Sequence, residues 1–153
     1  MERYSQLPSA LNILIADDDD DDILFFVAAF SELRANATIN SVGDGKQLMD
    51  HLLDNNTVLP DLLILDLNMP KKSGLECLVE IRKHPKLGSL PIAIYSTSRS
   101  ERDVQETFLN GATKYIPKPN DIQKLKALIP AILNLDWHRI LSSPNRDEFL
   151  LLA

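Results

Sequence analysis

Cysteine is almost missing from this sequence, and its scarcity excludes one class of small domain. Among 153 residues there is a single cysteine, Cys77, so no disulfide can form within the chain. Domains held together by several disulfides are therefore excluded, and a reducing cytoplasm is the expected compartment. Cys77 lies in a helical apolar pattern, where we expect a small buried core residue.

Long hydrophobic runs and an excess of positive charge are also lacking. No apolar stretch approaches the roughly 20 residues that a membrane-spanning helix requires. Residues 1–9 show no apolar region typical of a signal peptide. The 16 Lys and Arg residues are outnumbered by 22 Asp and Glu residues, which gives a formal net charge of −6. We therefore expect no direct partnership with a membrane or with nucleic acid.

What the sequence does contain is a series of five short, strand-like apolar runs. The first, third and fourth are apolar on both faces, as buried parallel strands are. The other two are weaker and are expected nearer the sheet edges. The five predicted strands are Asn12–Ala16, Thr38–Val42, Asp61–Asp66, Pro91–Tyr95 and Lys114–Ile116.

Segments with helical periodicity alternate with these strands. Each places its apolar residues on one stripe, as an amphipathic helix does. Pro130 falls inside the last segment, so we expect a kink or an early end there. The five predicted helices are Asp21–Arg34, Lys46–Asp54, Gly74–Lys83, Glu101–Leu109 and Asp121–Leu133.

Five β–α repeats predict an α/β domain with a parallel sheet and helices on both faces. Right-handed crossovers leave few topologies, of which the doubly wound, flavodoxin-like sheet is the best candidate. The predicted domain covers residues 12–134, with an N-terminal extension at 1–11 and a C-terminal tail at 135–153. The tail is too short for an output domain. Ligands of such sheets bind at the carboxyl ends of the strands.

Polar side chains follow four of the predicted strands at that edge. Asp17 and Asp18 follow the first strand, Asp66 ends the third, Ser96 follows the fourth and Lys118 follows the fifth. Clustered carboxylates repel one another, and a hard divalent cation such as Mg²⁺ relieves that repulsion. A lysine across the site would neutralise a phosphoryl oxygen. The pattern therefore predicts a carboxylate nucleophile that forms an acyl phosphate.

The motifs that carry these residues resemble the response regulator receiver family, the CheY-like domains of two-component systems. They are the Asp17-Asp18 pair, LDLNMPKKSG around Asp66, YSTS at Ser96 and YIPKP around Lys118. The resemblance covers about Asn12 to Asn134. The sheet order 2-1-3-4-5 is taken from this resemblance.

The resemblance implies a role for each acid of the motif. Asp66 matches the phosphoacceptor, and Asp17 and Asp18 match the pair that binds Mg²⁺. Asn68 matches the position whose main-chain carbonyl completes the metal site. Asp19 is the next candidate should the first strand end one residue later. The three acids Asp20–Asp22 are expected only to favour a helix N-terminus.

The resemblance also implies roles for the residues on strands 4 and 5. Ser96 matches the hydroxyl that bonds the phosphoryl group, and Lys118 matches the lysine that pairs with it. Tyr115 matches an aromatic switch that rotates inward after phosphorylation, although a static edge aromatic is the alternative. The Lys118–Pro119 bond is a candidate cis peptide.

As a whole, the resemblance implies a single-domain response regulator that is an enzyme only toward itself. Its phosphodonor would be a sensor histidine kinase, and a histidine phosphotransferase or a downstream protein would be a further partner. LDLNMPKK and the tryptophan Trp137 after the last helix are similar to receivers of phytochrome-type kinases. Members of that group pair as homodimers through the face formed by helix 4, strand 5 and helix 5.

Two other functions and several fates of the tail stay open. A haloacid-dehalogenase-type phosphotransferase also uses an aspartate nucleophile with Mg²⁺, but it needs a second acid where this chain has Asn68. A receiver-like scaffold that binds partners without phosphorylation is the other alternative. The apolar tail either packs back on the domain, docks on a second copy or a partner, or is disordered beyond Ser142.

Overall fold

The computed structural model describes residues 10–153, and residues 1–9 of the predicted N-terminal extension lie outside them. Its centre is a five-stranded parallel sheet with the order β2-β1-β3-β4-β5, as expected. Each strand boundary agrees with the predicted one to within one residue. Three strands differ at one end, and β3 and β4 differ at both ends. The strands are β1 (Leu11–Ala16), β2 (Ala37–Val42), β3 (Leu62–Leu65), β4 (Ile92–Ser96) and β5 (Lys114–Pro117).

A helix follows each strand. Several helices begin directly after a residue whose side chain accepts a hydrogen bond from the backbone of the first turn. Ser73 and Glu76 form a reciprocal capping box at the start of the third helix, which satisfies two of its free backbone donors. The third and fourth helices have the predicted bounds. The helices are α1 (Asp20–Glu32), α2 (Gly45–Leu53), α3 (Gly74–Lys83), α4 (Glu101–Leu109), α5 (Ile122–Asn134) and α6 (Trp137–Ser142).

Of the two outcomes expected at Pro130, a kink or an early end of α5, the early end is wrong. The helix continues to Asn134, whose side-chain amide donates to the Pro130 carbonyl at 2.8 Å. An interior proline costs about 3 kcal/mol. Ile129 and Ile132 are buried on either side of it, and their burial offsets much of that cost because each contributes about 1.5–3 kcal/mol.

The core has two layers, one on each face of the sheet. Successive strand residues point to opposite faces, so Ile13 and Ile15 pack with α1 and α5, whereas Leu14 and Ala16 pack with α2, α3 and α4. The strands β1, β3 and β4 are buried on both faces, as the sequence predicted. Cys77 is fully buried in the second of these layers.

The C-terminal tail packs back on the domain, so disorder beyond Ser142 is the wrong alternative. Trp137 is buried against α5 and donates from Nε1 to the Ile132 carbonyl at 2.9 Å. Further along, the tail pairs with the outer edge of β5. The Tyr115 N–H donates to the Phe149 carbonyl at 3.0 Å, and the Leu151 N–H donates to the Tyr115 carbonyl at 2.9 Å. These bonds satisfy part of an edge that would otherwise be open.

Phe149 is the apolar anchor of this tail. Its side chain is 2% exposed and lies edge-on to Phe108 and Tyr115, with ring centroids 5.1 Å and 6.2 Å away. Arg146 pairs with Glu101 of α4 at 2.7 Å. The tail therefore covers β5 and part of α4, on the face expected to form a homodimer.

Over residues 10–153, none of the helices has the length and apolar character needed to cross a bilayer.

Candidate metal centre and acyl-phosphate site

Three carboxylates meet where β1 and β3 end side by side. Ala16 is in register with Leu65, so the residues that follow these two leave the sheet at the same edge. Asp17 and Asp66 are buried and Asp18 is exposed, and one oxygen from each lies within 4.8 Å of the others. The structure thus brings together all three acids that the sequence singled out, in an arrangement that fits a metal ion.

Asp17 supplies the clearest sign that the centre suits a cation. One oxygen, Oδ1, accepts from the Asp19 N–H at 3.0 Å. The other, Oδ2, is buried and has no hydrogen-bond partner among the described residues. It forms an ion contact with Lys118 Nζ at 2.8 Å. A buried carboxylate oxygen whose one described partner is a cation is suited to a hard divalent ion as well.

Asp19 lies outside the cluster of three acids. Its side chain accepts from the backbone N–H groups of Asp21 and Asp22, and it caps α1. Because β1 ends at Ala16 as predicted, the predicted acid pair stays Asp17 and Asp18, which the structure brings together with Asp66.

Asp66 stands directly after β3, in a setting that disfavours its charged form. Its side chain is nearly buried, and burial together with the neighbouring Asp17 raises its pKa to about 7. The charge of Lys118 and a hydrogen bond from the Asn68 backbone oppose this rise in pKa. A divalent cation would favour the ionised carboxylate, which is the nucleophilic form.

The backbone of Asp66 is held by a close approach of α3. Gly74 is the first residue of α3, and a Cβ there would lie 2.1 Å from the Asp66 carbonyl oxygen. Only glycine permits this packing. The Gly74 N–H donates to the Leu67 carbonyl at 2.9 Å, so the SG pair of the LDLNMPKKSG motif fixes the loop that carries Asp66 and Asn68. Asn68 itself is exposed, and its role as a carbonyl ligand stays a prediction.

Lys118 reaches the centre from the end of β5 and faces several acids. Its side chain is 9% exposed, and its Nζ lies 3.8 Å from Asp66 Oδ2. Nζ also donates to Asp22 Oδ2 at 2.8 Å. Burial opposes the charge of Lys118, but Asp17, Asp22 and Asp66 outweigh it and raise the pKa of Lys118 above its usual value. Lys118 is therefore an ammonium at neutral pH.

Asp22 is the residue of this centre that the sequence did not reveal. We expected it to serve only the N-terminus of α1. The available signal was helical spacing, since a residue in the first turn after Asp17-Asp18 can turn back toward the strand ends. That signal does not separate Asp22 from Asp20 or Asp21, both of which are exposed.

Ser96 and Tyr115 occupy the other side of the centre. Ser96 is fully buried at the end of β4, and its Oγ accepts from the Ser98 N–H at 3.1 Å. Tyr115 is also fully buried, and its hydroxyl donates to the Ser98 carbonyl at 2.8 Å. Tyr115 thus already points inward, in contact with the loop after β4, and its rotation as a switch stays a prediction.

The expected cis peptide at Lys118–Pro119 is wrong, because the described residues contain no cis peptide bond. With the trans bond, the Lys118 N–H donates to the Ser96 carbonyl at 2.8 Å and so continues the pairing of β5 with β4.

Comparison with known proteins places these residues in a family context. The family model for the response regulator receiver domain matches residues 13–130. The probable methanogenesis regulatory protein FilR2 of Methanothrix harundinacea is 30% identical over 132 residues, which is 83% of this chain and 85% of that protein.

Two solved structures are similar to this one throughout the domain. The phosphorylated cyanobacterial phytochrome response regulator RcpA superposes with a TM-score of 0.74 at 30% identity, over 81% of this chain and 91% of that one. The Mn²⁺-bound form of response regulator Rcp1, a Synechocystis protein, superposes with a TM-score of 0.74 at 27% identity, over 85% and 95%.

Proposed function

Since this chain belongs to the response regulator receiver family, we propose that it accepts a phosphoryl group on Asp66 and signals by the change of conformation that follows. The observation that carries the proposal is the arrangement of two buried carboxylates, Asp17 and Asp66, with the Lys118 ammonium 3.8 Å from Asp66. Phosphoryl transfer depends mainly on such positioning and electrostatics.

The ion of this site is proposed to be Mg²⁺. Carboxylate oxygens of Asp17, Asp18 and Asp66 would hold it, together with the main-chain carbonyl of Asn68. When bound, Mg²⁺ neutralises charge on the acids and on the phosphoryl oxygens. RcpA is described as phosphorylated and Rcp1 as Mn²⁺-bound, which supports the same chemistry here.

The transfer itself requires one bond to form and one to break. An Asp66 carboxylate oxygen attacks phosphorus, the P–N bond to the donor histidine breaks, and the imidazole leaves with the bonding electrons. Lys118 and the Ser96 hydroxyl are proposed to bond the phosphoryl oxygens. Attack by water later returns Asp66 and inorganic phosphate. The chain is thus proposed to act only on itself.

The donor is proposed to be a phytochrome-type sensor histidine kinase in the cytoplasm, because RcpA is a phytochrome response regulator. A histidine phosphotransferase or a downstream protein would be the further partner. Homodimerisation through α4, β5 and α5 stays a proposal. The tail already covers the β5 edge there, so such a dimer must either include the tail or displace it.

Phosphorylation with a small-molecule donor tests the proposal. The protein is incubated with acetyl phosphate and MgCl₂, and intact mass is measured by mass spectrometry. We expect the mass to increase by one phosphoryl group. EDTA added before the donor should prevent this increase. Asp66→Asn should abolish the adduct, whereas Asp61→Asn, an exposed acid before β3, should retain it.

An unmodified wild-type protein that is folded and supplied with Mg²⁺ would contradict the proposal and favour the scaffold alternative. Turnover of a generic phosphomonoester would favour the phosphotransferase alternative, although that class needs an acid where Asn68 stands.

A further inference from the structure

The side chain of Lys118 has three N–H donors, and one of them bonds to Asp22, a residue to which the sequence analysis gave no role in the site. Among residues 10–153, Asp22 is the only side chain that accepts a hydrogen bond from Lys118. Asp17 Oδ2 forms an ion contact with Lys118 at the same distance, 2.8 Å. Asp66 Oδ2 is farther away at 3.8 Å. The ammonium therefore lies between Asp17 and Asp22, closer to both than to the nucleophile Asp66.

We propose that Asp22 is a positioning residue for phosphoryl transfer, because it holds the Lys118 ammonium off the Asp66 carboxylate before the phosphoryl group arrives. This inference rests on the proposed function of Asp66. The ammonium already contacts Asp17 at 2.8 Å. Without Asp22, the other described acid that pairs with it is Asp66, and the attraction of opposite charges would draw it closer to that carboxylate. It would then occupy the Asp66 oxygen that the phosphorus requires.

The surroundings of Lys118 support this role for Asp22. The ammonium lies 5.5 Å from the centre of the Tyr95 ring, and Tyr95 is buried against Phe26 of α1. The ammonium therefore lies against a buried ring and is largely shielded from water. Asp22 and Asp17 are the acids that hold it in this position.

The ion pair between Asp22 and Lys118 can also be broken and formed again at a small cost in free energy. Its side chain is 36% exposed, whereas Asp17 is fully buried. An ion pair that water reaches is weaker than a dry one. The ammonium can therefore turn to a phosphoryl oxygen on Asp66 without leaving an uncompensated buried charge behind, because water can solvate Asp22.

A double-mutant cycle on Mg²⁺ affinity tests the role of Asp22. Affinity is measured by isothermal titration calorimetry for the wild type, Asp22→Asn, Lys118→Gln and the double variant. In the wild-type background, Asp22→Asn should weaken Mg²⁺ binding by about fivefold, the factor expected for loss of one interaction of moderate strength. In the Lys118→Gln background the effect should nearly vanish, because the cation that Asp22 restrains is absent.

Asp21→Asn is the matched control, since it removes the same charge from the same helical turn. Asp21 is exposed and its carboxylate has no contact with Lys118. We expect a much smaller change, of equal size in both backgrounds. With acetyl phosphate, Asp22→Asn should slow the formation of the Asp66 adduct by a similar factor of about five, whereas Asp21→Asn should not.

Two results would overturn this role. One is an Asp22→Asn variant whose Mg²⁺ affinity and phosphorylation rate match those of Asp21→Asn. The other is an effect of Asp22→Asn that persists in full without Lys118. Failure of the proposed function gives a different result. The wild type would then bind Mg²⁺ but would form no adduct with acetyl phosphate. The double-mutant cycle on Mg²⁺ affinity would still decide whether Asp22 acts through Lys118.

Discussion

The pKa of Asp66 makes the stability of the metal-free protein depend on pH in an unusual direction. Most native carboxyls have lowered pKa values and add stability as the pH rises. Asp66 has a pKa raised from 3.8 to about 7 by burial and by Asp17. Between these two values the folded state binds more protons at this position than the unfolded state does. The contribution of Asp66 therefore falls as the pH rises through this range, and the full penalty is present above pH 7.

The size of this effect follows from the width of the shift. One pKa unit corresponds to about 1.4 kcal/mol. The part of the shift that lies above pH 5 spans roughly two pKa units. The contribution of Asp66 to the free energy of unfolding therefore changes by at most about 3 kcal/mol between pH 5 and pH 8. Relaxation around the buried charge reduces this limit. Asp66→Asn removes the titrating group, so its stability advantage over the wild type should be about 1–3 kcal/mol larger at pH 8 than at pH 5.

Urea unfolding in the presence of EDTA measures this difference. Wild type and Asp66→Asn are compared at pH 5 and pH 8, so contributions from other titrating groups cancel to a first approximation. Adding Mg²⁺ at pH 8 should then stabilise the wild type and leave Asp66→Asn nearly unchanged, because binding to the folded state alone raises stability. An advantage of equal size at both pH values would refute the reasoning.

Two further predictions concern the loop that carries Asp66 and the tail. Gly74→Ala should destabilise the fold by about 2 kcal/mol or more and weaken Mg²⁺ binding, as measured by urea unfolding and calorimetry, because its Cβ would collide with the Asp66 carbonyl. Gly88→Ala, where a Cβ lies no closer than 3.4 Å to a neighbour, is the control, and equal losses in both variants would contradict this account. Phe149→Ala should loosen the tail by about 3 kcal/mol, seen as faster hydrogen exchange of the amides that pair the tail with β5. Leu152→Ala, an exposed neighbour, should leave exchange unchanged, and unaltered exchange in Phe149→Ala would show that the ring does not hold the tail.

Much of the fold was predictable because local signals and the global architecture agree. The apolar runs mark strands buried on both faces, and capping residues such as Ser73 and Ser100 mark helix starts. The helices α3 and α4 consequently have the predicted bounds. Pro130 shows the limit of such signals, because the buried neighbours of α5 override the local cost of proline.

The centre was predictable for a similar reason. In a parallel sheet, every strand delivers the residue that follows it to one edge. Asp17, Asp66 and Lys118 each follow a strand directly, so the topology delivers all three to the same edge. Because β4 separates β5 from β3, the long side chain of Lys118 is needed to reach the acids. Asp22 lies on a helix, and its partnership with Lys118 depends on how α1 rotates and packs against the sheet.

The sequence by itself determined the five β–α units, the acids at the strand ends and the lysine opposite them, because each of these is set by a local pattern repeated along the chain. Only the tertiary structure decided that Phe149 anchors the tail on β5 and that Asp22 holds the Lys118 ammonium. Both contacts join residues far apart in the chain, and side-chain packing in three dimensions, rather than any periodicity, brings them together.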